Sequence, residues 1–442
     1  MRRVLSLFDL SVLASASMGP AFSLASTLGV MVAAAGSLTI LALLGTTIVL
    51  LLVAIAFMQL ITQYPDAGSS YGWARRAFGE GIGAYTAWIL IVANFFAVLA
   101  TAIPAGTYTL ALFAPSLVDS TLWSAAIGCA WIVAIALVLY LGIRSSARVA
   151  AVLLIAELVV LAASAFAGMA HAPASAPAMP SAHSLGAIGF IEAMVLGIWM
   201  VDGWEVTAST SEETRDAARV AGIGGIVGLL VTAVFLIVCT LAYMHAGGVE
   251  GLAANQTDVL AFVGERLGGM WRTLLVVTVL VSLAATLETT LLYLVRSVYA
   301  MGRDGVLPGA LGALGARTRD PDVALVAVTV ASLLAMAIVG LVPSANDRLA
   351  LVLNGSAVFL GLLFLISCLA ALRLRPQGTP LFAAAGALAL VVILTVAIVQ
   401  AAPATRWCIV VALGLGLPIT LGYAVRERMR KGQSPAAGNI GG

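Results

Sequence analysis

Long apolar runs recur along almost the whole chain of 442 residues, and this recurrence constrains the fold more than any other feature. A helix needs about 20 apolar residues to cross the hydrocarbon core of a bilayer, which is about 30 Å thick. Runs of this kind lie near residues 10–29, 36–61, 83–113, 122–142, 147–169, 185–211, 220–245, 268–300, 323–342, 349–372, 380–400 and 405–425. The sequence therefore predicts an all-α polytopic membrane protein with about twelve transmembrane helices.

Composition argues against a water-soluble globule. Charged residues make up 10% of the chain and hydrophobic residues 62%, whereas a soluble domain carries about 25% charged residues. The net charge of +2 gives no indication of nucleic-acid binding. The cysteines lie apart from one another in apolar runs, so we expect neither a disulfide framework nor a metal site. A lipid bilayer is the predicted surrounding, no cofactor is predicted, and the oligomeric state is left open.

The basic residues predict an orientation in the membrane. Arg2–Arg3 precede the first run, and further arginines fall in alternate loops, at 75–76, 144–148 and 215–219. This excess of basic residues on one side predicts that both termini are cytoplasmic. Lys431 is the only lysine among 22 basic residues. Since such a bias is typical of GC-rich bacterial genomes, the expected location is the bacterial inner membrane.

Two of the predicted spans contain helix-breaking residues near their middle. The first span includes Gly19 and Pro20, and a proline inside a helix lacks an N–H group and clashes with the preceding turn. The sixth span includes Gly203, flanked by Asp202 and Glu205. Interrupted backbone at membrane depth is tolerated only where it is buried in protein or lines a cavity. Either break alone could be a packing kink, but the pair predicts a binding site between the two spans.

The positions of these breaks also predict the organisation of the chain. Breaks in the first and the sixth span are typical of two inverted repeats of five helices. We expect the first repeat at 1–169, the second at 170–375, and two extra helices at 376–428. A disordered cytoplasmic tail is predicted at 429–442. An Ala/Pro-rich segment at 171–184 is predicted to be a flexible periplasmic loop.

Three sequence motifs identify a family. They are Tyr64–Gly79 (YPDAGSSYGWARRAFG), the pair Asp202–Glu205 (DGWE) with Ser211–Thr214 (SEET), and Arg296–Pro308 (RSVYAMGRDGVLP). In this order and at these loops, they resemble the signatures of the amino acid-polyamine-organocation permeases. The resemblance extends over about 8–375.

The resemblance implies a LeuT-like fold of two five-helix inverted repeats plus two C-terminal helices, alternating access and, in many bacterial members, proton coupling or exchange. It implies that backbone N–H groups at the first break bind a substrate carboxylate and that carbonyl groups at the sixth-span break bind its amino group. The residues predicted to bind substrate are Ser15, Ser17, Met18, Gly19, Asn94, Trp199, Met200, Asp202, Gly203 and Glu288.

The sequence departs from the family pattern at three positions. Pro20 stands in the first-span motif and cannot donate an N–H group. Ser69 replaces the second glycine of the first signature. Glu157 stands where some proton-coupled members place a lysine, so a lysine-based coupling mechanism does not transfer to this chain.

The remaining candidates are acidic residues inside the predicted spans. A charged side chain at the bilayer centre costs about 2.5–3.5 kcal/mol on insertion scales, so it usually faces a cavity or a partner. Glu157, Asp202, Glu205 and Glu288 occupy such positions. Acidic groups suit a cationic substrate group or carboxyls that load and release protons. We predict coupling or gating roles for Glu157, Trp199 and Glu205, with structural hydrogen bonds as the alternative for the carboxyls.

The function predicted from these features is secondary active transport of amino acids, coupled to protons, with substrate held at the two breaks. Sodium coupling and exchange are left open. A polyamine or other organic amine is the alternative substrate, favoured by Pro20 and Asp202. An enzyme is not expected, because His171, His183 and His245 all lie at predicted outer loops or a helix end. A receptor or channel is not expected either, since no long sensor domain or repeated pore loop is present.

Overall fold

The computed structural model describes residues 1–171, 187–316, 318–340, 345–378 and 380–432. The described part is helical, apart from turns and one isolated bridge between Leu5 and Thr214. Its α-helices are α1 (Leu7–Met18), α2 (Pro20–Ala35), α3 (Thr39–Gln63), α4 (Ser70–Phe78), α5 (Glu80–Phe113), α6 (Thr121–Tyr140), α7 (Ile143–Ala170), α8 (Ala187–Val201), α9 (Val206–Ser209), α10 (Ala217–Gly247), α11 (Val249–Ala254), α12 (Val259–Leu267), α13 (Trp271–Arg303), α14 (Asp322–Gly340), α15 (Ala345–Leu374), α16 (Pro380–Gln400) and α17 (Pro403–Gly432).

The predicted all-α membrane fold is confirmed. In the described ranges, 10 helical segments are long and apolar enough to cross a membrane, and one of them, Leu7–Gln63, contains α1, α2 and α3. The predicted first span corresponds to α1 and α2 together, the second to α3, and the sixth to α8 and α9. Each of the other predicted spans corresponds to one long helix.

The structure describes only part of the predicted C-terminal tail and of the predicted periplasmic loop. Helix α17 continues to Gly432, beyond the predicted start of the disordered tail at 429. Residues 426–431 (RERMRK) are good helix formers, and they extend the helix past the apolar run. Residues 433–442, most of the predicted periplasmic loop (172–184, with His183) and Arg317 lie outside the described residues.

The chain's N-terminus is tied to the end of the sixth span. Ser6 and Asp9 form a capping box at the start of α1, in which the Ser6 N–H donates to the Asp9 carboxylate at 2.8 Å. The N–H of Leu5 donates to the Glu213 carbonyl at 3.1 Å, and the N–H of Arg215 donates to the Leu5 carbonyl at 3.0 Å. These bonds fix the start of α1 beside the segment that follows α9.

The helices at the centre of the bundle are α5 and α13. Within their most apolar stretches, 72% of α5 and 78% of α13 is buried, against 33% for α6 and α7. Large apolar side chains such as Leu122, Val159 and Phe166 are exposed on the outer helices, as expected for a surface that faces lipid. The centre of the bundle is therefore the place where irregular backbone can be shielded from lipid.

The helix contacts follow a repeated pattern. α1 packs on α10 as α8 packs on α3, and α5 packs on α15 as α13 packs on α7. In the same way, α5 contacts α6 and α13 contacts α14. Two related repeats would produce this pattern, because corresponding helices then contact corresponding partners. The pattern favours the division at 1–169 and 170–375, which stays a prediction.

Candidate functional site

The first span is interrupted at Gly19. α1 ends at Met18 and α2 begins at Pro20, and Gly19 between them has φ 53°, in the left-handed region that favours glycine. A side chain at Gly19 would collide with the Thr286 hydroxyl on α13. Pro20 is the first residue of α2, where its missing N–H is not needed by the helix. The proline thus begins a second half-helix instead of kinking a continuous one.

The sixth span is interrupted at residues 202–205. α8 ends at Val201, and the four-residue helix α9 begins at Val206. Gly203 has φ 108°, and its N–H donates to the Glu205 Oε2 at 2.8 Å. A Cβ atom on Gly203 would lie 2.8 Å from the carbonyl group of Ser17. The structure therefore brings the two interruptions into direct contact, and only glycine permits this approach.

A cavity lies where the two breaks meet. A space of about 40 Å³ is bounded by residues of α1, α2, α5, α8, α13 and α15 and by the sixth-span break. The lining residues are Ser17, Met18, Phe22, Ser23, Asn94, Ala97, Thr101, Trp199, Asp202, Gly203, Glu205, Thr286, Thr290, Tyr293 and Leu360.

Seven predicted site residues line this cavity: Ser17, Met18, Asn94, Trp199, Asp202, Gly203 and Glu205. They come from α1, α5, α8 and the sixth-span break. The roles predicted for them concern binding and coupling, which geometry alone does not test, and they stay predictions. What the structure provides is their common location.

Four other predicted residues do not line the cavity. Ser15 donates to the Gly228 carbonyl at 3.2 Å, and Met200 is buried. Gly19 packs on α13, as described above. Glu288 accepts a hydrogen bond from the Ser146 hydroxyl at 2.5 Å. Glu288 lies midway between two cavity-lining residues of α13 that are four positions apart, so it projects from the other side of that helix.

Glu157 is also away from the cavity wall. Its side chain extends from α7 to the start of α2, where its Oε1 accepts a hydrogen bond from the Ala21 N–H at 2.6 Å. The residue is 1% exposed. The predicted coupling residue thus contacts the first break and is not among the residues that line the cavity.

For α13 the sequence analysis selected Glu288 and missed the three residues of this helix that line the cavity. Thr286, Thr290 and Tyr293 share one face of α13 at spacings of four and three, and Asn94, Ala97 and Thr101 do so on α5. Polar residues at helical spacing inside an apolar span are a usable signal. The prediction of Asn94 alone did not exploit it.

The cavity is acidic. Asp202 and Glu205, which are 8% and 4% exposed, are the charged residues among the described residues of its lining, and none of these is basic. Opposite charges attract strongly in such a poorly hydrated place. The arrangement therefore favours a ligand that brings a positive charge.

Two groups of aromatic side chains lie at or near the cavity. Phe22 and Trp199 pack edge to face, with ring centroids 6.5 Å apart, on the half-helices α2 and α8. Beside the sixth-span break, Trp204 stacks on Phe364 with ring centroids 5.6 Å apart, and it packs against Phe57 with ring centroids 5.1 Å apart. Trp204 is 1% exposed. This second group lies toward the end of the bundle where the chain begins, and its three residues are not among those that line the cavity.

That end, which we call the basic end, holds a buried ion pair. Arg296 of α13 donates to both carboxylate oxygens of Glu213, each at 3.1 Å, and the two side chains are 3% and 0% exposed. The carboxylate of Asp320 lies 3.6 Å from the same guanidinium. Burial raises the pKa of the Asp320 carboxyl, and Arg296 opposes that rise. The pair joins the second and third sequence motifs.

A more exposed set of ion pairs surrounds it. Arg303 contacts the carboxylates of Glu212 at 2.8 Å and Asp66 at 3.5 Å, and Arg75 contacts Asp304 at 3.0 Å. Burial raises the pKa of Asp66, while the N–H of the neighbouring glycine and Arg303 lower it. All three motifs therefore meet at the basic end.

Ser69, which replaces a glycine of the first motif, has φ 50°. Residues other than glycine rarely adopt such a positive φ, and the strain costs of order 1–3 kcal/mol. Its hydroxyl lies 3.4 Å from that of Tyr293, a residue that lines the cavity. The backbone conformation explains why glycine is favoured at this position.

A family model described as amino acid permease matches residues 5–416 of the chain. The chain is similar to a branched-chain amino acid permease of Bacillus subtilis (strain 168), with 28% identity over 353 residues, 73% of this chain and 72% of the relative. It is also similar to a branched-chain amino acid permease of Lactococcus lactis subsp. cremoris (strain MG1363), with 26% identity over 325 residues, 67% of this chain and 69% of the relative. A low-affinity putrescine importer of Escherichia coli (strain K12) is 24% identical over 313 residues, 65% of each chain.

Proposed function

The chain belongs to the amino acid permease family, and on that premise we propose that it is a secondary active transporter of small organic molecules that carry an ammonium group. Amino acids and organic amines both meet this description. The observation that carries the proposal is the cavity at the two helix breaks, which Asp202 and Glu205 line and whose described lining residues include no basic one. The relatives named for branched-chain amino acids and for putrescine share an ammonium group in their substrates.

In this proposal the ammonium group binds between the carboxyl of Asp202 and the ends of two half-helices. α1 ends at Met18 and α8 ends at Val201, both at the breaks. The last carbonyl groups of a helix carry partial negative charge, which stabilises a cation. The rings of Phe22 and Trp199 then cover the remaining, less polar part of the substrate.

We place the basic end in the cytoplasm of a bacterial cell, following the excess of arginine in its loops. The aromatic group around Trp204 and the ion pairs of Arg296 and Arg303 would then separate the cavity from the cytoplasm. Release to the cytoplasm requires these contacts to open, and entry from outside requires them to hold. This is the alternation that a transporter with a central site needs.

A proton gradient drives uptake in this proposal, and Glu205 loads and releases the proton. Glu205 lines the cavity, whereas Glu157 does not. Two ionised carboxylates in one buried cavity without a counter-charge cost several kcal/mol. A proton on Glu205 leaves one negative charge, on Asp202, for the ammonium group. Sodium coupling and exchange are the alternatives.

Reconstitution in liposomes tests the proposal. We expect uptake of labelled amino acids or amines to require an acidic exterior and to stop when the pH gradient is collapsed. Glu205→Gln should remove this dependence. Glu265→Gln changes an exposed carboxyl paired with Arg272, far from the cavity, and should retain it. Uptake that is indifferent to the pH gradient would exclude proton coupling, and absence of uptake or exchange for every ammonium compound would exclude the transport function.

A further inference from the structure

The start of α2 is the natural place for a substrate carboxylate in this site. The first N–H groups of a helix lack partners within the helix and carry partial positive charge, so they bind anions. In membrane transporters, half-helices direct such N-termini at anionic groups of the substrate. α2 begins at Pro20, beside the cavity. An amino acid carboxylate would need the N–H groups of this first turn.

One of these groups is missing and the next is already taken. Pro20 has no N–H. The Ala21 N–H donates to the carboxyl of Glu157 at 2.6 Å. An ionised or a neutral carboxyl group can accept this hydrogen bond. Occupation of the Ala21 N–H by Glu157 therefore does not depend on protonation.

The neighbouring N–H groups also have partners within the protein. The Phe22 N–H donates to the Ser282 hydroxyl at 3.1 Å, and the Ser23 N–H donates to the Gly19 carbonyl at 2.8 Å. The N–H of Gly19 itself donates to the Ala16 carbonyl at 3.2 Å. Every backbone donor from Gly19 to Ser23 is accounted for. A substrate carboxylate would have to displace one of these partners.

Displacing Glu157 is costly. Its carboxyl is buried where α7 meets the start of α2, so a substrate carboxylate that took the Ala21 N–H would leave it buried without this hydrogen bond. A substrate carboxylate would also enter a site that already contains Asp202 and Glu205 and, in the part of the chain that the structure describes, has no basic residue in its lining. Like charges repel strongly at such short range and low polarity. The same cavity accepts an ammonium group without this repulsion.

We infer that Glu157 determines the class of substrate: its carboxyl group fills the anion-binding start of α2, so that the cavity takes organic amines without a carboxylate in preference to amino acids. The inference rests on the proposed function, which includes both classes. Glu157 acts here as a specificity-determining residue that does not touch the substrate. Its carboxyl group occupies the Ala21 N–H that the carboxylate of an amino acid would otherwise use.

Pairs of ligands that differ only by the carboxylate give a direct test. Suitable pairs are leucine with 3-methylbutylamine and ornithine with putrescine, measured by calorimetry or by competition on the purified full-length protein. We expect the wild-type protein to bind each amine at least about tenfold more tightly than its amino acid, in line with an uncompensated buried carboxylate.

Two substitutions at the same position separate this role from a merely structural one. Glu157→Ala frees the Ala21 N–H, so the ratio of amine to amino acid affinity should fall by about tenfold. Glu157→Gln keeps a side-chain carbonyl that can accept the same hydrogen bond, so its ratio should stay closer to that of the wild type. Glu265→Ala, which removes an exposed carboxyl on α12, should leave the ratio unchanged.

The outcomes distinguish this inference from the proposed function. Tighter or equal binding of the amino acids by the wild-type protein would overturn the inference and leave the transport function standing. An unchanged ratio in a folded Glu157→Ala protein would also overturn it. If that variant does not fold, the wild-type ratio still decides. Binding of neither member of any pair would overturn the proposed function, and the inference with it.

Discussion

Acidic side chains occupy two depths of this permease and have opposite surroundings. At the basic end, Glu213 and Glu212 each meet an arginine, at 3.1 Å and 2.8 Å respectively. At the central cavity, Asp202 and Glu205 are also buried, and no basic residue is among the described residues that line the same space. The first group has its counter-charge within the protein. The second group is complete only when a cation or a proton arrives from outside.

The difference relates stability to function within one fold. A buried carboxylate with a guanidinium partner stabilises one arrangement of the helices and resists change. A buried carboxyl without a partner contributes little to stability but provides affinity for a ligand of opposite charge. Disturbing the paired set should therefore alter stability and opening, whereas disturbing the unpaired set should alter binding.

Loss of Arg296 should have the largest effect. Arg296→Gln leaves the fully buried Glu213 without its partner, which should lower the free energy of unfolding by about 3–5 kcal/mol. Arg272→Gln breaks an exposed pair and should cost less than about 1 kcal/mol. Chemical denaturation in detergent measures both. Similar losses of unfolding free energy for the two variants would mean that the buried Arg296 pair stabilises the protein no more than the exposed Arg272 pair.

Loss of Asp202 should have the next largest effect, and on binding instead of stability. Asp202→Asn removes a charged acceptor for the ammonium group, worth about 1.5–3 kcal/mol, or roughly tenfold to a hundredfold in affinity. The free energy of unfolding should stay the same or rise, because an unpaired buried charge has gone. Titration of an amine onto both proteins measures the affinity. Unaltered amine affinity would remove Asp202 from the binding site.

Loss of Arg303 should produce a smaller change, in access to the cavity. Arg303 is 35% exposed, so its pairs with Glu212 and Asp66 each contribute about 1 kcal/mol or less. In a Ser17→Cys background, Arg303→Gln should raise labelling by a thiol reagent applied from the basic end by about two- to fivefold. Arg219→Gln, at an exposed pair with Asp216, is the control. Equal labelling of the two variants would show that the Arg303 pairs do not keep this end closed.

Ser69 should give the smallest effect. Ser69→Gly relieves the strain of a positive φ, but glycine loses more backbone entropy on folding, so the net gain in unfolding free energy should be about 1 kcal/mol. Ser70→Gly, one residue later at the start of α4, should be destabilising instead. A comparison of the two melting temperatures decides. Destabilisation of both would mean that the bond between Ser69 and Tyr293 outweighs the strain.

The depth of each site residue could be predicted from the sequence, but the direction of its side chain could not. Asp202 and Glu288 both lie inside apolar spans, yet only Asp202 reaches the cavity. Glu288 is bonded to Ser146, which lies 142 residues earlier in the chain. Spacing along α13 would have favoured Thr286 and Thr290 had one face been assigned to the cavity. That assignment depends on which helices pack around α13.

The spans, their two interruptions and the three motifs were determined by the sequence alone. The bilayer has a fixed thickness, and glycine and proline disrupt a helix through local chemistry, so these features can be read from neighbouring residues. Only the tertiary structure decided that the Glu157 carboxyl meets the Ala21 N–H, 136 residues away. It also decided that Asp202 and Glu205 face one cavity, whose described lining residues include no basic one. The physical reason is that partners of buried polar groups are supplied by packing between distant helices, which no local pattern records.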